Sequence, residues 1–421
     1  MRTKLHLTEL LTEQVKPAMG CTEPASIALA CAHAASVLKK HAKVQANDVT
    51  GIDVTLDRFV FRNAMAVGIP KSGGNTGIKI AAAMGIFCNP NYALNIFSSF
   101  DIKHLPAAKQ LSNKVRISVL KSDLLYIKVK IYAGRNYSAV TIKNSHAGIE
   151  KIEFKNRIIF KNRIKRKNDI SAEMNNISKM RIEEIILSAK NGGENNLTKI
   201  KELAEINWRA ANFGVKNNCG LGIGANLAHL YDKKSGLAEY VQIMTAAASD
   251  ARMGGSDIEV ISVCGSGNQG IMCSVPIKAA GNMLRINEKR IMRAVFIAVL
   301  IECYLTSKFG YLSDLCGAVM KAGFGTTAGI TYLLGGNKKQ IENAMKLFAG
   351  DLTGMICDGA KSGCSLKLAT SSYSAVKAAL LSFKGIDAPA GCGIIGLNFG
   401  ETIDNIITLY SKINIHKTSH S

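Results

Sequence analysis

The sequence predicts an α+β fold, with a mainly helical domain and a smaller lobe that contains a β-sheet. The chain has 421 residues and is 47% hydrophobic, which is enough for a large core and favours two or three domains. Helical spacing of apolar residues covers the N-terminus and the C-terminal half, whereas alternating, β-branched segments lie between them. We therefore predict N-terminal helices over residues 1–43 that pack on the helical domain, a sheet-containing α/β lobe over 44–177, and the mainly helical domain over 178–421.

The N-terminal segment is predicted to form two helices separated by a break. Helical spacing over Leu5–Lys40 is interrupted by PAMG and restarts at Thr22, a capping residue followed by Pro24, which suits a first helical turn. Cys21 is therefore expected just before a helix, where unpaired amides and the helix dipole favour a thiolate.

The central lobe is predicted to contain a sheet because its segments alternate apolar and polar residues and are rich in β-branched ones. These segments are VTGIDVTLDRFVF, KVRISVLKSD, LLYIKVKIYA, YSAVTIK and IEKIEFKNRIIF. One helix, Thr76–Phe87, is expected to interrupt them after the loop PKSGGN. A polar connection over Asn168–Asn176 then leads to helices separated by glycine-rich turns, which indicate close packing or loops shaped around a ligand. The last residues, HKTSHS, are expected to fray.

The formal net charge of +22 raises the question of a nucleic-acid partner. Positive charge is densest over Lys151–Lys167, where basic residues alternate with Ile and Phe as in a pair of strands with one wet face. Because lysine, asparagine and isoleucine are abundant throughout, we interpret the charge as a compositional bias and expect no nucleic-acid partner.

The sequence predicts a cytoplasmic protein without a membrane span. The longest apolar stretches are shorter than the roughly 20 residues that a span needs, and the N-terminus lacks the apolar run of a secretory signal. Eleven cysteines, an odd number diluted in a large chain, fit a reducing compartment. Most of them are expected to be small buried hydrophobic residues. Four are assigned to the core: Cys31, Cys88, Cys273 and Cys303.

The first group suited to chemistry is a pair of cysteines, Cys357 and Cys364, that bracket a segment with two glycines and Lys361. Thiolates on such a loop can ligate iron, while backbone amides and a lysine offset negative charge. A third thiol, Cys316, lies in the glycine-rich LSDLCGAVMKAGFGTTAGI, and three ligands would leave one iron open to a substrate. The spacing matches no standard ferredoxin or zinc-finger pattern. A zinc site completed by water or Cys21, or two ordinary cysteines at a helix entrance, therefore stay open as alternatives.

The second group is the loop CGSGNQG, which follows the apolar run VISV. Its backbone amides, with Ser266, Asn268 and Gln269, can surround an anionic group such as a substrate carboxylate. The loop lacks both the dinucleotide fingerprint and the P-loop signature, so nucleotide binding there is not expected. A glycine-rich turn that serves only packing is the alternative.

The third group is MGCTEP, in which Cys21 stands beside Thr22 and Glu23. A cysteine in this position can be a base, a nucleophile or a transient ligand, and a buried structural cysteine is the alternative. His146, Asn63 and Lys71 are polar residues at strand ends or loops, and each alone is a weak signal.

In combination, GCTEPASIALA, RNAMAVGIP with GGNTGIKIAAAMG, SDARMGG, CGSGNQGI, LCGAVMKAGFGTTAGI and GMICDGAKSGCSLK resemble the L-cysteine desulfidase family, which is related to the α portion of iron-sulfur L-serine dehydratases. The resemblance covers almost the whole chain. It implies a [4Fe-4S] cluster with one substrate-accessible iron, and it places Cys316, Cys357 and Cys364 on the cluster cysteines. Cys21 falls on the cysteine of the family's N-terminal motif, which is a ligand or an acid-base group. The loop after Pro70 departs from the family, because it reads Lys-Ser-Gly-Gly instead of a Gly-Thr-Gly type.

The resemblance implies an enzyme whose mainly helical domain is catalytic, a carbon-sulfur lyase that converts L-cysteine to pyruvate, ammonia and hydrogen sulfide without pyridoxal phosphate. In this hypothesis Cys21 is the first candidate for the base, and Ser266, Asn268 and Gln269 hold the substrate carboxylate. An iron-sulfur L-serine dehydratase would use the same machinery on a hydroxyl group, and a non-catalytic, cluster-bearing redox sensor is the rival of another class. A homo-oligomer is one arrangement that the sequence allows.

Overall fold

Helices make up most of the chain and are joined to one six-stranded and one two-stranded sheet, which confirms the predicted α+β class. The architecture comes from a computed structural model that describes residues 5–122, 124–162, 171–231, 235–311 and 313–418. The helices in these ranges are α1 (Leu7–Gln14), α2 (Thr22–Ala42), α3 (Arg58–Ala64), α4 (Ile78–Gly85), α5 (Leu105–Ser112), α6 (Ala172–Ser178), α7 (Ile182–Asn191), α8 (Glu194–Asn217), α9 (Ile223–Tyr231), α10 (Leu237–Met253), α11 (Gly267–Met283), α12 (Glu288–Phe309), α13 (Gly317–Met320), α14 (Ala322–Leu333), α15 (Lys338–Asp351), α16 (Cys364–Phe383) and α17 (Phe399–Thr418).

The strands are β1 (Val15–Met19), β2 (Gly51–Asp57), β3 (Val115–Leu120), β4 (Tyr126–Ala133), β5 (Asn136–Lys143), β6 (Ile149–Phe154), β7 (Arg157–Lys161) and β8 (Glu259–Val263). The larger sheet has the order β3-β2-β4-β5-β6-β7, in which only the β2–β3 pair is parallel. The strand pair predicted in the basic segment is confirmed as β6 and β7. Every residue of β7, an edge strand, is exposed, so the prediction that the pair has a single wet face is wrong for β7.

Asp57 ties the sheet to the helix that follows it. Its carboxylate caps α3 by accepting hydrogen bonds from the N–H groups of Phe59 and Val60, at 2.8 and 3.1 Å. The second carboxylate oxygen accepts from the N–H of Tyr126 at the start of β4, at 2.8 Å. Since Asp57 is fully buried, this network fixes α3, and with it Asn63, at the edge of the sheet.

Two hydrophobic cores form, one for each part of the molecule. The first joins α1 to the helices from α6 onwards, and the second joins α2 and α4 to the sheet. The predicted division into N-terminal helices, a sheet-containing lobe and a helical domain stays a prediction. In the structure, α1 packs on the helices of the first core. In contrast, α2 packs on β4 and β5, because its Ala-rich stripe and Ile27 face the apolar side of the sheet.

The predicted break between the first two helices is a strand. β1 pairs antiparallel with β8, with Val15 opposite Val263 and Met19 opposite Glu259. The strand was not foreseen because its partner is far away in sequence, so the local pattern carried no sign of it. The pairing brings the start of α2 close to the segment that connects β8 to α11.

Several smaller predictions have clear outcomes. The helix expected over Thr76–Phe87 is α4, shorter at both ends, and the four cysteines assigned to the core are buried. The connection expected over Asn168–Asn176 is helical from Ala172, and residues 163–170 lie outside the described ranges. The backbone of α17 extends into the HKTSHS tail as far as Thr418, and residues 419–421 also lie outside. None of the helices in the described ranges is long and apolar enough to cross a membrane.

Candidate active site

The N-termini of α2 and α11 meet at the boundary between the two cores. The hydroxyl oxygen of Thr22 lies 3.3 Å from the carbonyl oxygen of Gly265. Gly20 (φ +70°) and Gly265 (φ +76°) have left-handed backbones, which glycine adopts without strain, and Cys264 has φ +49°. Because each helix N-terminus carries partial positive charge, this junction favours an anionic ligand.

Glu23 is the centre of a buried hydrogen-bond network on α2. Its Oε2 accepts from the thiol of Cys21 at 2.9 Å and from the hydroxyl of Thr22 at 3.0 Å. Its Oε1 accepts from the amide Nδ2 of Asn63 at 2.9 Å. The imidazole Nε2 of His146 lies 3.8 Å from the same oxygen, which is too far for a hydrogen bond. Burial alone would raise the pKa of Glu23, but His146, Cys21 and Asn63 together hold that pKa well below its usual range.

The thiol of Cys21 is not the thiolate that its place before a helix led us to expect. Burial raises the pKa of Cys21 well above its ordinary value, and the negative charge of Glu23 raises it further. The charge of Arg252 lowers the pKa of Cys21, but less strongly. The helix dipole is therefore outweighed, and Cys21 is a neutral donor to the Glu23 carboxylate.

Arg252, in the last turn of α10, is a buried cation at the centre of the junction. Only 3% of its surface is exposed, and its guanidinium contacts are Nη1 to the Oδ1 of Asn268 and to the Sδ of Met253, each at 3.0 Å. Among the described side chains no carboxylate lies within 4.0 Å of it, and its Nε has no partner. A buried charge normally has an ionic partner, so Arg252 has the character of a receptor for an anion.

The three predicted substrate residues lie at the start of α11. Ser266 is the N-cap residue, and its side chain makes no capping hydrogen bond. Asn268 accepts from Arg252, as described above. The side chain of Gln269 is buried, with its Oε1 unpartnered. A Cβ added to Gly317 would stand 2.2 Å from the Nε2 of Gln269, so this amide reaches the residue next to Cys316.

Cys316 and Cys357 are held next to each other by a short antiparallel pairing centred on Leu315 and Ile356. The N–H of Cys316 donates to the carbonyl of Met355 at 2.7 Å, and the N–H of Cys357 donates to the carbonyl of Asp314 at 2.6 Å. Residues 316 and 357 therefore lie on the same face of the pairing. Burial raises the pKa of Cys316 to about 12, and negative charge at Cys357 or Cys364 adds to this rise, so the three thiols are neighbours.

Cys364 begins α16 and is placed by a loop that lies against α3. Gly359 (φ +99°) takes this loop so close to the carbonyl of Arg62 that an added Cβ would stand 2.5 Å from it. Lys361 forms a parallel bridge with Ala66, and the residues that follow it turn back so that the N–H of Cys364 donates to the Lys361 carbonyl at 2.9 Å. Burial raises the pKa of Cys364, while the charges of Arg252 and Lys367 lower it.

Cys316, Cys357 and Cys364 are the residues that could hold an iron-sulfur cluster. In the ranges that the structure describes, no three His, Cys, Asp or Glu side chains are placed to hold one metal ion, as the zinc alternative would require. Cluster cysteines bind separate iron atoms and need not converge on one point. Positive charge from Arg252 and Lys367 reaches the thiols, as is needed to stabilise a negatively charged cluster.

Behind Gln269 lies a second buried ionisable pair, Glu302 on α12 and Lys321 before α14. The Cε of Lys321 also approaches Gly317, and its Nζ donates to the carbonyl of Gly310 at 3.1 Å. Glu302 is fully buried, and its Oε1 accepts from Thr306 at 2.8 Å while its Oε2 has no partner. Burial raises the pKa of Glu302 to about 8, although Lys321 opposes the rise.

We expect Glu302→Gln to flatten the dependence of stability on pH. The folded pKa exceeds the unfolded one, so the native state binds more protons between about pH 4.5 and 8, and stability falls as pH rises through that window. The slope that this residue adds is at most about 1.4 kcal/mol per pH unit. Urea unfolding at about pH 5.5 and pH 8 measures it, with the exposed Glu13→Gln as control. Equal pH slopes for the wild type and Glu302→Gln would contradict the prediction.

A family model described as "Serine dehydratase alpha chain" matches residues 103–420. The chain belongs to the serine dehydratase alpha-chain family. The match includes the loop CGSGNQG and all three cysteines of the predicted cluster set, whereas α2 with Cys21 and Glu23 lies before it. The family is generally associated with iron-sulfur clusters, and its membership indicates a lyase.

Relatives along nearly the whole length extend the family to the N-terminal region. Proteins named UPF0597 protein from Desulfatibacillum aliphaticivorans and Shewanella halifaxensis are 34% and 37% identical, and each alignment covers 96% of this chain, with 94% and 95% of the relative. A UPF0597 protein from Thermosipho africanus is 33% identical over 97% of this chain and 96% of its own length. The similarity to these relatives therefore includes most of the residues before 103, which the family model does not match.

Sequence reasoning about this family member missed Glu23 and Arg252 as site residues. Both were quoted only as parts of motifs, since a charge on a helix usually marks a solvated face. The signal that identifies Arg252 is its setting in TAAASDARM, where Asp250 and Arg252 are the charges in a helix of small residues. Lys71, which had been noted as a polar loop residue, instead donates to the carbonyls of Ser98 and Phe100 at 2.8 and 3.4 Å.

Proposed function

We propose that this protein is a [4Fe-4S]-dependent lyase that converts L-cysteine to pyruvate, ammonia and hydrogen sulfide without pyridoxal phosphate. The observation that carries the proposal is the position of Arg252, a buried and unneutralised cation between the Cys21–Glu23 pair and the three thiols. A redox sensor would need the thiols but would gain nothing from a buried receptor for an anion, which favours the enzyme.

Cys316, Cys357 and Cys364 would hold the cluster, and a cluster with three thiolate ligands supplies an iron that acts as a Lewis acid toward the leaving group. Burial raises the pKa of Cys316 and of Cys364, so these two thiols favour their neutral forms in the absence of metal. Binding of the cluster to these cysteines must therefore release protons, as metal binding to cysteines does generally.

Arg252 and the α11 N-terminus bind the substrate carboxylate in this proposal. The guanidinium has unused donors, and Asn268 already holds one of its nitrogens in place. The amides at the start of α11, together with Ser266 and Gln269, add hydrogen-bond donors around the same anion. The binding energy fixes the α-carbon of the substrate beside α2, where the acid-base pair lies.

The Cys21–Glu23 pair removes the α-proton in this proposal. The Cys21 sulfur accepts the proton from the α-carbon while its own proton passes to the Glu23 carboxylate, across their 2.9 Å hydrogen bond. Asn63 and His146 stabilise the charged form of Glu23 before the transfer. Loss of sulfide from the β-carbon then gives aminoacrylate, which tautomerises to an imine and is hydrolysed by water to pyruvate and ammonia.

An anaerobic substrate comparison tests the proposal. The protein is purified and reconstituted without oxygen, its visible absorbance is recorded before and after exposure to air, and sulfide, ammonia and pyruvate are measured with L-cysteine, L-serine and L-threonine. We expect an oxygen-sensitive absorbance and equal amounts of the three products from L-cysteine. Preference for L-serine would show that the protein is a serine dehydratase instead. An intact cluster without turnover of any of the three amino acids would refute the proposal that the protein is an enzyme.

We expect Glu23→Gln to lower kcat by about 10²- to 10⁴-fold, the range for loss of a positioned proton acceptor. The amide keeps the size of the side chain but cannot take the proton from Cys21. The readout is exchange of the α-proton of L-cysteine in deuterium oxide, with bound iron counted in the same sample. Glu13→Gln, an exposed glutamate of α1, is the control. Undiminished exchange in Glu23→Gln would exclude Glu23 from the proton path.

A further inference from the structure

A second candidate site lies between the C-terminal ends of α7 and α14 and the N-terminal end of α12. It is a groove with a volume of about 600 Å³, which we call the basic groove. Its lining residues are Lys190, Asn287, Lys289, Arg290, Arg293, Tyr332, Gly335 and Gly336. Four of them are cationic and none is acidic, so the lining has a strong positive potential.

The two arginines of the basic groove are held by carbonyl groups and keep their charge. The Nη2 of Arg290 donates to the carbonyl of Tyr332 at 3.1 Å, and the Nη1 of Arg293 donates to the carbonyls of Ala189 and Gly192 at 2.9 and 2.5 Å. Within the described part of the chain neither has a carboxylate within 4.0 Å, and the shielded Nε of Arg290 has no partner. Their orientation is fixed while their charge stays available to a ligand.

The lysines sit at the rim. The Nζ of Lys190 lies 5.1 Å from the ring centre of Tyr332, over the ring that Arg290 also contacts at 5.5 Å. Lys289 pairs with Glu194 at 2.8 Å, but their side chains are 68% and 75% exposed, so water weakens this pair. Glu194 therefore neutralises little of the positive charge of the basic groove.

The start of α12 adds to the same field. Asn287 caps the helix by accepting from the N–H of Arg290 at 2.9 Å. The earlier amides of a first turn have no partner inside a helix, and in α12 they belong to Glu288 and Lys289 beside the groove. A long helix that begins at a basic cavity is a setting in which phosphate groups bind.

We propose that the basic groove binds a small molecule with two or more linked phosphates. Four cations and a helix N-terminus match the charge of a diphosphate, and the volume suits a ligand of nucleotide size. The basic groove is separate from the proposed lyase site. Arg290, in the groove, lies about 18 Å along the axis of α12 from Glu302, which is the residue of this helix behind Gln269. The proposal does not depend on the lyase function.

Calorimetric titration of the full-length protein with pyrophosphate, ADP and adenosine tests the proposal. We expect pyrophosphate and ADP to bind and adenosine not to bind. Tighter binding of ADP would identify a nucleotide as the ligand, and equal affinity would identify the diphosphate alone. We expect Arg290→Gln and the exposed Lys190→Gln each to weaken binding by about tenfold, which corresponds to the loss of one charge-assisted contact.

Lys308→Gln is the matched control, because Lys308 is on the same helix and lies over Tyr304 at 5.7 Å, outside the groove. Its affinity for pyrophosphate should stay within about twofold of the wild type, as expected for a surface charge that makes no contact. Melting curves of each variant confirm folding, and Lys190→Gln carries the test if Arg290→Gln fails to fold. Absence of binding, equal binding of adenosine, or an equal loss in Lys308→Gln would overturn the proposal.

Discussion

Replacing Cys316, Cys357 or Cys364 singly with serine is expected to remove bound iron and to lower turnover of L-cysteine by about 10³-fold or more, which is the rate equivalent of several kcal/mol of Lewis-acid stabilisation. The reason is that the three thiols are neighbours held by one local arrangement, in which the Leu315–Ile356 pairing and the start of α16 fix their positions. Loss of any one would leave a cluster with too few ligands. Iron and acid-labile sulfide per protein chain, with the anaerobic visible spectrum, are the measurements.

Cys392→Ser is the control for this series, because Cys392 is exposed in the loop after α16 and belongs to no part of the site. It should keep full iron and full activity. Cys21→Ser separates the two roles that the sequence left open: iron is retained and turnover falls if Cys21 relays the proton, whereas iron is lost if it is a ligand. Full iron and full turnover in Cys357→Ser would rule out the proposed ligand set.

The fold class followed from the sequence because each of its signals is local. Alternation in β4 and β5 and the Ala-rich helical spacing of α2 are visible in single segments. The strand β1 was missed because a strand made by pairing with β8 depends on a contact between distant segments. The packing of α2 on the sheet was missed for the same reason, since an apolar stripe shows that a helix is buried but not what covers it.

The site divides in the same way. The cysteine and glycine motifs predicted the three thiols and the loop CGSGNQG as site residues, because motifs of this kind can be recognised in a sequence without a structure. Glu23 and Arg252 are charged residues in helices, and burial in the structure distinguishes them from solvated ones, with the small-residue setting of Arg252 as the one sign in the sequence. The expectation of a thiolate at Cys21 failed because the dipole of α2 was known from the sequence, while the desolvation and the neighbouring carboxylate were not.

Substitution of Arg252 is expected to have a large effect on the KM for L-cysteine. We expect Arg252→Gln to raise the KM for L-cysteine by about 10²-fold, because a buried charge-assisted contact to a carboxylate is worth roughly 1.5–3 kcal/mol. Arg252→Lys should recover part of the loss, since it restores the charge but not the paired donors. Steady-state kinetics under anaerobic conditions measure both values, and Arg209→Gln on the exposed side of α8 controls for the change in net charge.

A purely structural role for Arg252 predicts a different pattern, because its Nη1 also holds Asn268 and contacts Met253. Cysteamine, which is L-cysteine without its carboxylate, distinguishes the two roles when used as a competitive inhibitor. If Arg252 binds the carboxylate, the inhibition constant of cysteamine stays within about threefold in Arg252→Gln while the KM for L-cysteine rises, because cysteamine never made that contact. If both constants rise together, the substitution has disordered the start of α11, and the carboxylate must be bound by other donors.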